Sequence, residues 1–162
     1  MVHDATVEAD PRVDGVRATY EATHARLWRA VLAYSGSADV ADEAVAEAFA
    51  QLLRRGDGVD EPAAWVWRSA FRIAAGELKR RAARGLSEVP DVGVSLPEPA
   101  FDLIAALHHL TDQQRACVVL CDLADHSAGD AARLLGTTAA TVRVQRMRAR
   151  RHLRDLLEDN DA

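Results

Sequence analysis

Between Arg133 and Arg154 the chain carries seven arginines and no acidic residue. That block is framed by punctuation that fixes its local structure. Ser127-x-x-Asp130 reads as a helix start of the capping-box kind, and Ala131, Leu134 and Leu135 form the apolar side of a two-turn helix. Gly136 fits the left-handed residue that closes such a helix. Thr138 then caps a last helix running to about Leu157. A short helix, a glycine turn and a basic helix together predict a helix-turn-helix. A helix fits the major groove, and its first turns face base edges. Thr138 and Thr141 supply short hydroxyls there; Arg143, Gln145, Arg146, Arg148, Arg150 and Arg151 supply long donors. Arginine forks onto guanine and glutamine pairs with adenine, so double-stranded DNA is the expected ligand of this helix.

The formal net charge is −5, which by itself points away from nucleic acid. The distribution reverses that reading. A second basic block spans residues 63–86, with six basic residues against the single acid Glu77. Both blocks stand out of an acidic body, and screening over about 10 Å lets each act as its own field.

The remaining pattern is helical. Apolar residues make up 49% of the chain, charged residues 28%, and β-branched alternation is scarce. Helical spacing begins at Tyr20 and breaks at Ser35-Gly36-Ser37. Asp39 is the expected cap of a second helix, whose stripe is Val40, Ala41, Ala44, Val45, Ala48, Phe49, Leu52 and Leu53. Pro62 opens a third, with Trp65, Trp67, Phe71, Ile73 and Leu78. After a proline-rich stretch come a short helix around Phe101–Leu110 and another capped by Thr111-x-x-Gln114. The expected fold is all-α: two small helical domains joined by a flexible linker. The boundaries read as an N-terminal arm over 1–19, a helical bundle over 20–85, a linker over 86–100, the helix-turn-helix domain over 101–157 and an acidic tail over 158–162.

On these residues the chain resembles bacterial RNA polymerase sigma factors of the extracytoplasmic-function (ECF) class of the sigma-70 family. The likeness is carried by Leu110-x4-Arg115, Leu120, Ser127-x-x-Asp130, Leu134-Leu135-Gly136, Thr141-Val142-Arg143 and Arg148-Ala149-Arg150-x-x-Leu153, which follow the family's region 4. Asp39–Leu53 and Pro62–Arg81 resemble its region 2. The resemblance implies a factor that binds core RNA polymerase and directs promoter-specific initiation by recognising −10 and −35 elements. Its implied partners are the β′ clamp helices, the β flap, promoter DNA and, in many members, an anti-sigma factor. Asp42, Glu43 and Glu47 would then meet the polymerase. Trp65 and Trp67 would stack bases of a melted strand, with Arg68, Arg72, Lys79, Arg80 and Arg81 on phosphates. The chain departs from the family pattern in carrying Ala46 in place of a Gln, and Arg72 and Gly76 in place of Asn and Asp. Arg146 stands where an apolar seam would place Leu. A helix-turn-helix regulator with weakened polymerase docking, or a sigma-like interaction module, is the alternative.

Other chemistries find little footing. His108, His109, Cys117, Cys121 and His126 match no zinc spacing, and Cys117 and Cys121 read as small core hydrophobes. With no P-loop, nucleotide fingerprint, HExxH or nucleophile elbow, no cofactor, metal or enzymatic activity is expected. The acidic N-terminus lacks the features of a signal peptide and no apolar run is long enough to span a bilayer, so a cytoplasmic location without membrane insertion is expected.

Overall fold

Helix ends in the computed structural model sit where local chemistry puts them; the structure describes residues 9–86 and 91–162. Helix α1 is Pro11–Ser35. Asp10 caps it by accepting from the Arg12 amide at 3.0 Å, and Pro11 occupies the first helical position. The helix therefore starts nine residues before Tyr20. Pro11 is a start signal here, and not the mark of a loose arm; residues 1–8 of that expected arm lie outside the described residues. Gly36, at φ 69°, closes α1 and donates to the Leu32 carbonyl at 2.7 Å.

Helix α2 is Ala38–Arg55. Its cap is Ser37, whose hydroxyl accepts from the Val40 amide; Asp39 lies one step inside, where a carboxylate favours the helix dipole. The expected stripe is buried from Val40 to Leu52, but Leu53 is 48% exposed: one residue past Leu52 the helix has turned about 100°, off the packed face. A 3₁₀ turn at Gly56–Gly58 leads to α3, Pro62–Ala83. α1, α2 and α3 pack on one another as one group.

The second group comprises α4 (Glu98–Leu107), α5 (Asp112–Val118), α6 (Ala128–Leu135) and α7 (Ala139–Asn160). Thr111 and Gln114 form the reciprocal capping box at α5. α5 passes into a π-helical turn, Val119–Leu123, before the bend at Asp125, whose φ of 58° is one that Asp tolerates better than most residues. The Ser127 hydroxyl accepts from the Asp130 amide, but the Asp130 carboxylate pairs with Arg133 and does not reach back. Gly136 (φ 68°) and Thr138 cap as expected. α7 is held down by the buried Val142 and Ala149.

The two groups share one continuous core. Arg115 of α5 is only 5% exposed. It donates to the Tyr34 carbonyl at 2.8 Å, to the Leu110 carbonyl at 3.3 Å and to Asp112 at 2.9 Å, and lies over the Tyr34 ring. Trp67 of α3 meets the His126 ring edge-on at 4.5 Å between centroids. In the expected linker, residues 87–90 lie outside the described residues. Val92 is buried and its carbonyl accepts from the Ala38 amide at 2.8 Å, so this part of the segment is seated on the first group. Among the described residues no strand is present and no helix is long and apolar enough to cross a membrane.

Candidate nucleic-acid interface

The first basic surface is α7. At its start the Thr138 hydroxyl accepts from the Thr141 amide at 3.1 Å and shares a 2.9 Å hydrogen bond with the Thr141 hydroxyl. Both hydroxyls thus fix the helix start, and Thr138 acts chiefly as its cap. Arg143, Arg148 and Arg151 are exposed and have no ion-pair partner among the described residues; Gln145 is half-buried. Arg146 and Arg150 differ. Arg146 donates from Nε to Asp122 Oδ2 at 2.9 Å and from a terminal nitrogen to Oδ1 at 2.6 Å, and Arg150 pairs with the same carboxylate. The Arg146 guanidinium holds the Asp122 carboxyl below its usual range. This explains how an arginine occupies an apolar seam: the stem packs and the head meets a carboxylate.

The second basic surface lies where α2 ends beside α3. A cavity of about 500 Å³ is lined by Arg54, Arg55, Trp65, Arg68 and Arg72, among others. Arg55, Arg68 and Arg72 are exposed and have no ion-pair partner among the described residues, while Arg54 pairs with Glu47 at 2.8 Å. Arg54 and Arg55 were not singled out from the sequence. The available signal was two arginines in the last turn of α2 immediately before Gly56-Asp57-Gly58, a break short enough to fold them against the next helix.

Three expectations need revision here. Trp65 and Trp67 do not share a surface: two residues along a helix turn about 200°, and only Trp65 reaches the cavity. Trp67 is 3% exposed, packed on Phe71 and His126 with the Arg26 guanidinium over its ring, so it offers no face to a base in this arrangement. Lys79, Arg80 and Arg81 lie on the same helix as the cavity, but about 10–14 Å beyond its last lining residue, Arg72, by helical rise. Arg80 and Arg81 are paired with Glu77 at 2.9 and 3.3 Å.

The acidic residues of α2 are similarly divided. The Trp28 indole donates to Asp42 at 2.7 Å, tying α1 to α2. Glu47 accepts from Gln51 and Arg54, which hold its carboxyl low. Glu43 is exposed and has no side-chain partner among the described residues. Cys117 and Cys121 are buried, and burial pushes the Cys117 thiol up to about 11.

This arrangement defines a helical protein with a DNA-binding helix-turn-helix of the sigma-70 type. Residues 100–153 match the family described as sigma-70, region 4. Over 142 residues the chain is 30% identical to the ECF RNA polymerase sigma factor SigM of Mycobacterium tuberculosis, in strains Erdman and H37Rv alike, a match covering 83% of this chain and 72% of the relative. The chain belongs to the ECF sigma factors, the transcription-initiation factors of that family. Its fold is similar to that of the sigma factor RpoE from Bartonella quintana, solved in complex with the anti-sigma factor NepR, with a TM-score of 0.79 at 19% identity over 90% of this chain and 98% of that one. It is also similar to CnrH, solved in complex with the cytosolic domain of CnrY, with a TM-score of 0.72 at 22% identity over 93% and 91%. SigJ of Mycobacterium tuberculosis gives a TM-score of 0.63 at 23% identity over 87% of this chain and 53% of that one.

Proposed function

We propose that this chain binds core RNA polymerase and selects promoters through two separate nucleic-acid surfaces. α7 reads the −35 duplex: Arg143, Arg148 and Arg151 supply free cations, and Gln145 and the Thr138–Thr141 start sit at the end of the helix that faces base edges. The cavity beside α3 takes the displaced strand of the −10 element. Trp65 supplies a stacking surface, and Arg55, Arg68 and Arg72 supply phosphate partners. Lys79 extends the positive track toward the flanking backbone, while Arg80 and Arg81 are held by Glu77. The exposed acidic face of α2, centred on Glu43 with Asp42 and Glu47 beside it, docks on the β′ clamp helices, and the helix-turn-helix group docks on the β flap. The factor supplies recognition and carries out no chemistry of its own.

The observation that carries this reading is the pairing, in one ECF-family chain, of a capped recognition helix with exposed unpaired arginines and an arginine-lined cavity holding a tryptophan. The test is transcription in vitro with bacterial core polymerase on genomic fragments. Promoter-specific transcripts that depend on the factor support it. Duplex binding without any transcript favours the regulator reading instead. Charge reversal at Glu43 should lower co-purification of core polymerase; unchanged recovery removes α2 as the docking face.

An anti-sigma factor belongs to the same proposal. RpoE, whose fold this chain shares, was solved with one, and in this chain the two helical groups are packed together. Reading two promoter elements at once requires the groups to part along Arg115 and the Trp67–His126 contact. A partner that binds across both groups would keep them closed.

A further inference from the structure

The six arginines of α7 differ in what surrounds them. Arg146 and Arg150 are one helical turn apart and therefore share a flank. That flank faces the π-helical turn Val119–Leu123, in which Asp122 sits between the buried Cys121 and the exposed Leu123. Both Asp122 oxygens are engaged: Oδ2 takes Arg146 Nε, and Oδ1 takes a terminal nitrogen from each arginine. The carboxylate side chain is 23% exposed and that of Arg146 33%, so their fork is partly desolvated; the Arg150 side chain, 54% exposed, is the more loosely held of the two. A phosphate would have to displace a two-pronged carboxylate already in place. The gain from phosphate binding is largely counterion release; the single Asp122 charge offsets one of the two arginine charges, chiefly that of Arg146, which makes both prongs of the fork.

We infer that Asp122 is a specificity-determining positioning residue, which holds Arg146 and Arg150 against the α5 side of the recognition helix and off the DNA backbone. It leaves Arg143, Arg148 and Arg151 to make the duplex contacts. The inference rests on the reading that α7 enters duplex DNA. Its consequence is a lower background of sequence-independent binding: two more free arginines would raise affinity for every duplex alike and dilute the discrimination that base contacts provide.

The experiment uses the full chain and a fluorescent duplex of random sequence, titrated at several salt concentrations, with wild type, Asp122→Asn, Asp122→Glu, Arg146→Met and Arg148→Ala. For each further phosphate that a released arginine engages, Asp122→Asn should bind roughly eightfold tighter at 0.1 M salt, with a salt slope steeper by about 0.9. Asp122→Glu should restore the wild-type slope. Arg146→Met should keep it, whereas Arg148→Ala should lose close to one unit. An Asp122→Asn slope equal to or shallower than wild type overturns the inference. So does an Arg146→Met loss matching that of Arg148→Ala, which also decides the matter if Asp122→Asn fails to fold. Phenylglyoxal labelling mapped by mass spectrometry separates this inference from the reading beneath it. Arg146 should react more slowly than Arg148 in wild type and as fast in Asp122→Asn; equal rates in wild type overturn it whatever the DNA result. A wild type that labels as expected but binds no duplex instead removes α7 as a DNA-reading helix.

Discussion

α3 and α7 are both 22 residues long and both rich in arginine, yet they distribute that charge differently. On α7 an acid from another element, Asp122, takes up one flank, and the exposed surface keeps unpaired cations around a regular helix. On α3 the acid is internal. Glu77 ties Arg80 and Arg81 near the C-terminus, while Arg68 and Arg72 stay free beside an aromatic ring and the end of α2. α7 is a rod, suited to a groove of fixed shape; α3 forms one wall of a concave site, suited to a flexible strand. The role of an arginine is set less by its own helix than by the nearest carboxylate.

The sharpest way to break that contrast is through the two α3 tryptophans. Trp67→Ala should cost about 3–5 kcal/mol of stability, read from chemical denaturation, because it empties a core position. Trp65→Ala, at a position only partly buried against the same core, should lower the denaturation midpoint less than Trp67→Ala and weaken binding of a single-stranded −10 oligonucleotide by about 1–3 kcal/mol. If Trp67 and not Trp65 governs strand affinity, the cavity is not the strand site. On α7, Arg143→Ala or Arg148→Ala should lower duplex affinity and reduce the salt slope by about one unit each, while Arg72→Ala leaves the duplex slope alone. Equal effects from both helices would erase the distinction between rod and cavity.

Gly76 offers a smaller test. A Cβ there would meet only the end of the Arg80 side chain, at 3.6 Å, so Gly76→Ala should stabilise α3 by about 1 kcal/mol without altering duplex binding. A loss of stability would mean that α3 needs the glycine's freedom.

The smallest expected effect is on pH. Burial first, then the Arg26 guanidinium, lowers the His126 imidazole from its ordinary value of 6.5, opposed by Asp125 and Asp130. Its Nε2 is buried with no hydrogen-bond partner among the described residues, and Glu61, Arg68 and Arg133 line the cleft around it. The folded chain therefore takes up this proton less readily than the unfolded one. The contribution to stability is whole above pH 6.5, declines as the pH falls from there to the folded-state value, and then levels off. His108 is shifted the same way by burial, so the His126 share is the part of the decline that His126→Gln removes. An identical pH profile in that variant would remove His126 as a titrating part of the contact between α3 and the second group.

Much of this architecture was readable from short-range signals. Pro62, Thr111, Ser127, Gly136 and Thr138 act within a few residues of themselves, and each sits where its chemistry predicts. The errors at this scale were between near neighbours: Ser37 and not Asp39 caps α2, because its hydroxyl meets the Val40 amide. Longer-range features were hidden. Arg115 reaches a carbonyl 81 residues away and Asp122 an arginine 24 away, separations at which periodicity carries no information. The capped basic helix α7 was accordingly legible as a unit, but not which of its arginines meet a carboxylate. Trp67 illustrates the reverse case, since its spacing from Trp65 already placed the two on different sides of the helix.

Val92 sets how far the two halves can travel. While its carbonyl stays on the Ala38 amide, only residues 93–97 connect that anchor to α4, an extended reach of about 17 Å. Were Val92, and Leu96 which also packs on the core, to leave their seats, the thirteen residues 85–97 could by their number alone span roughly 45 Å. On the proposed reading of two promoter elements, the seat of one valine would work as a stop on a measuring tape, with two settings for the gap that a single molecule can span.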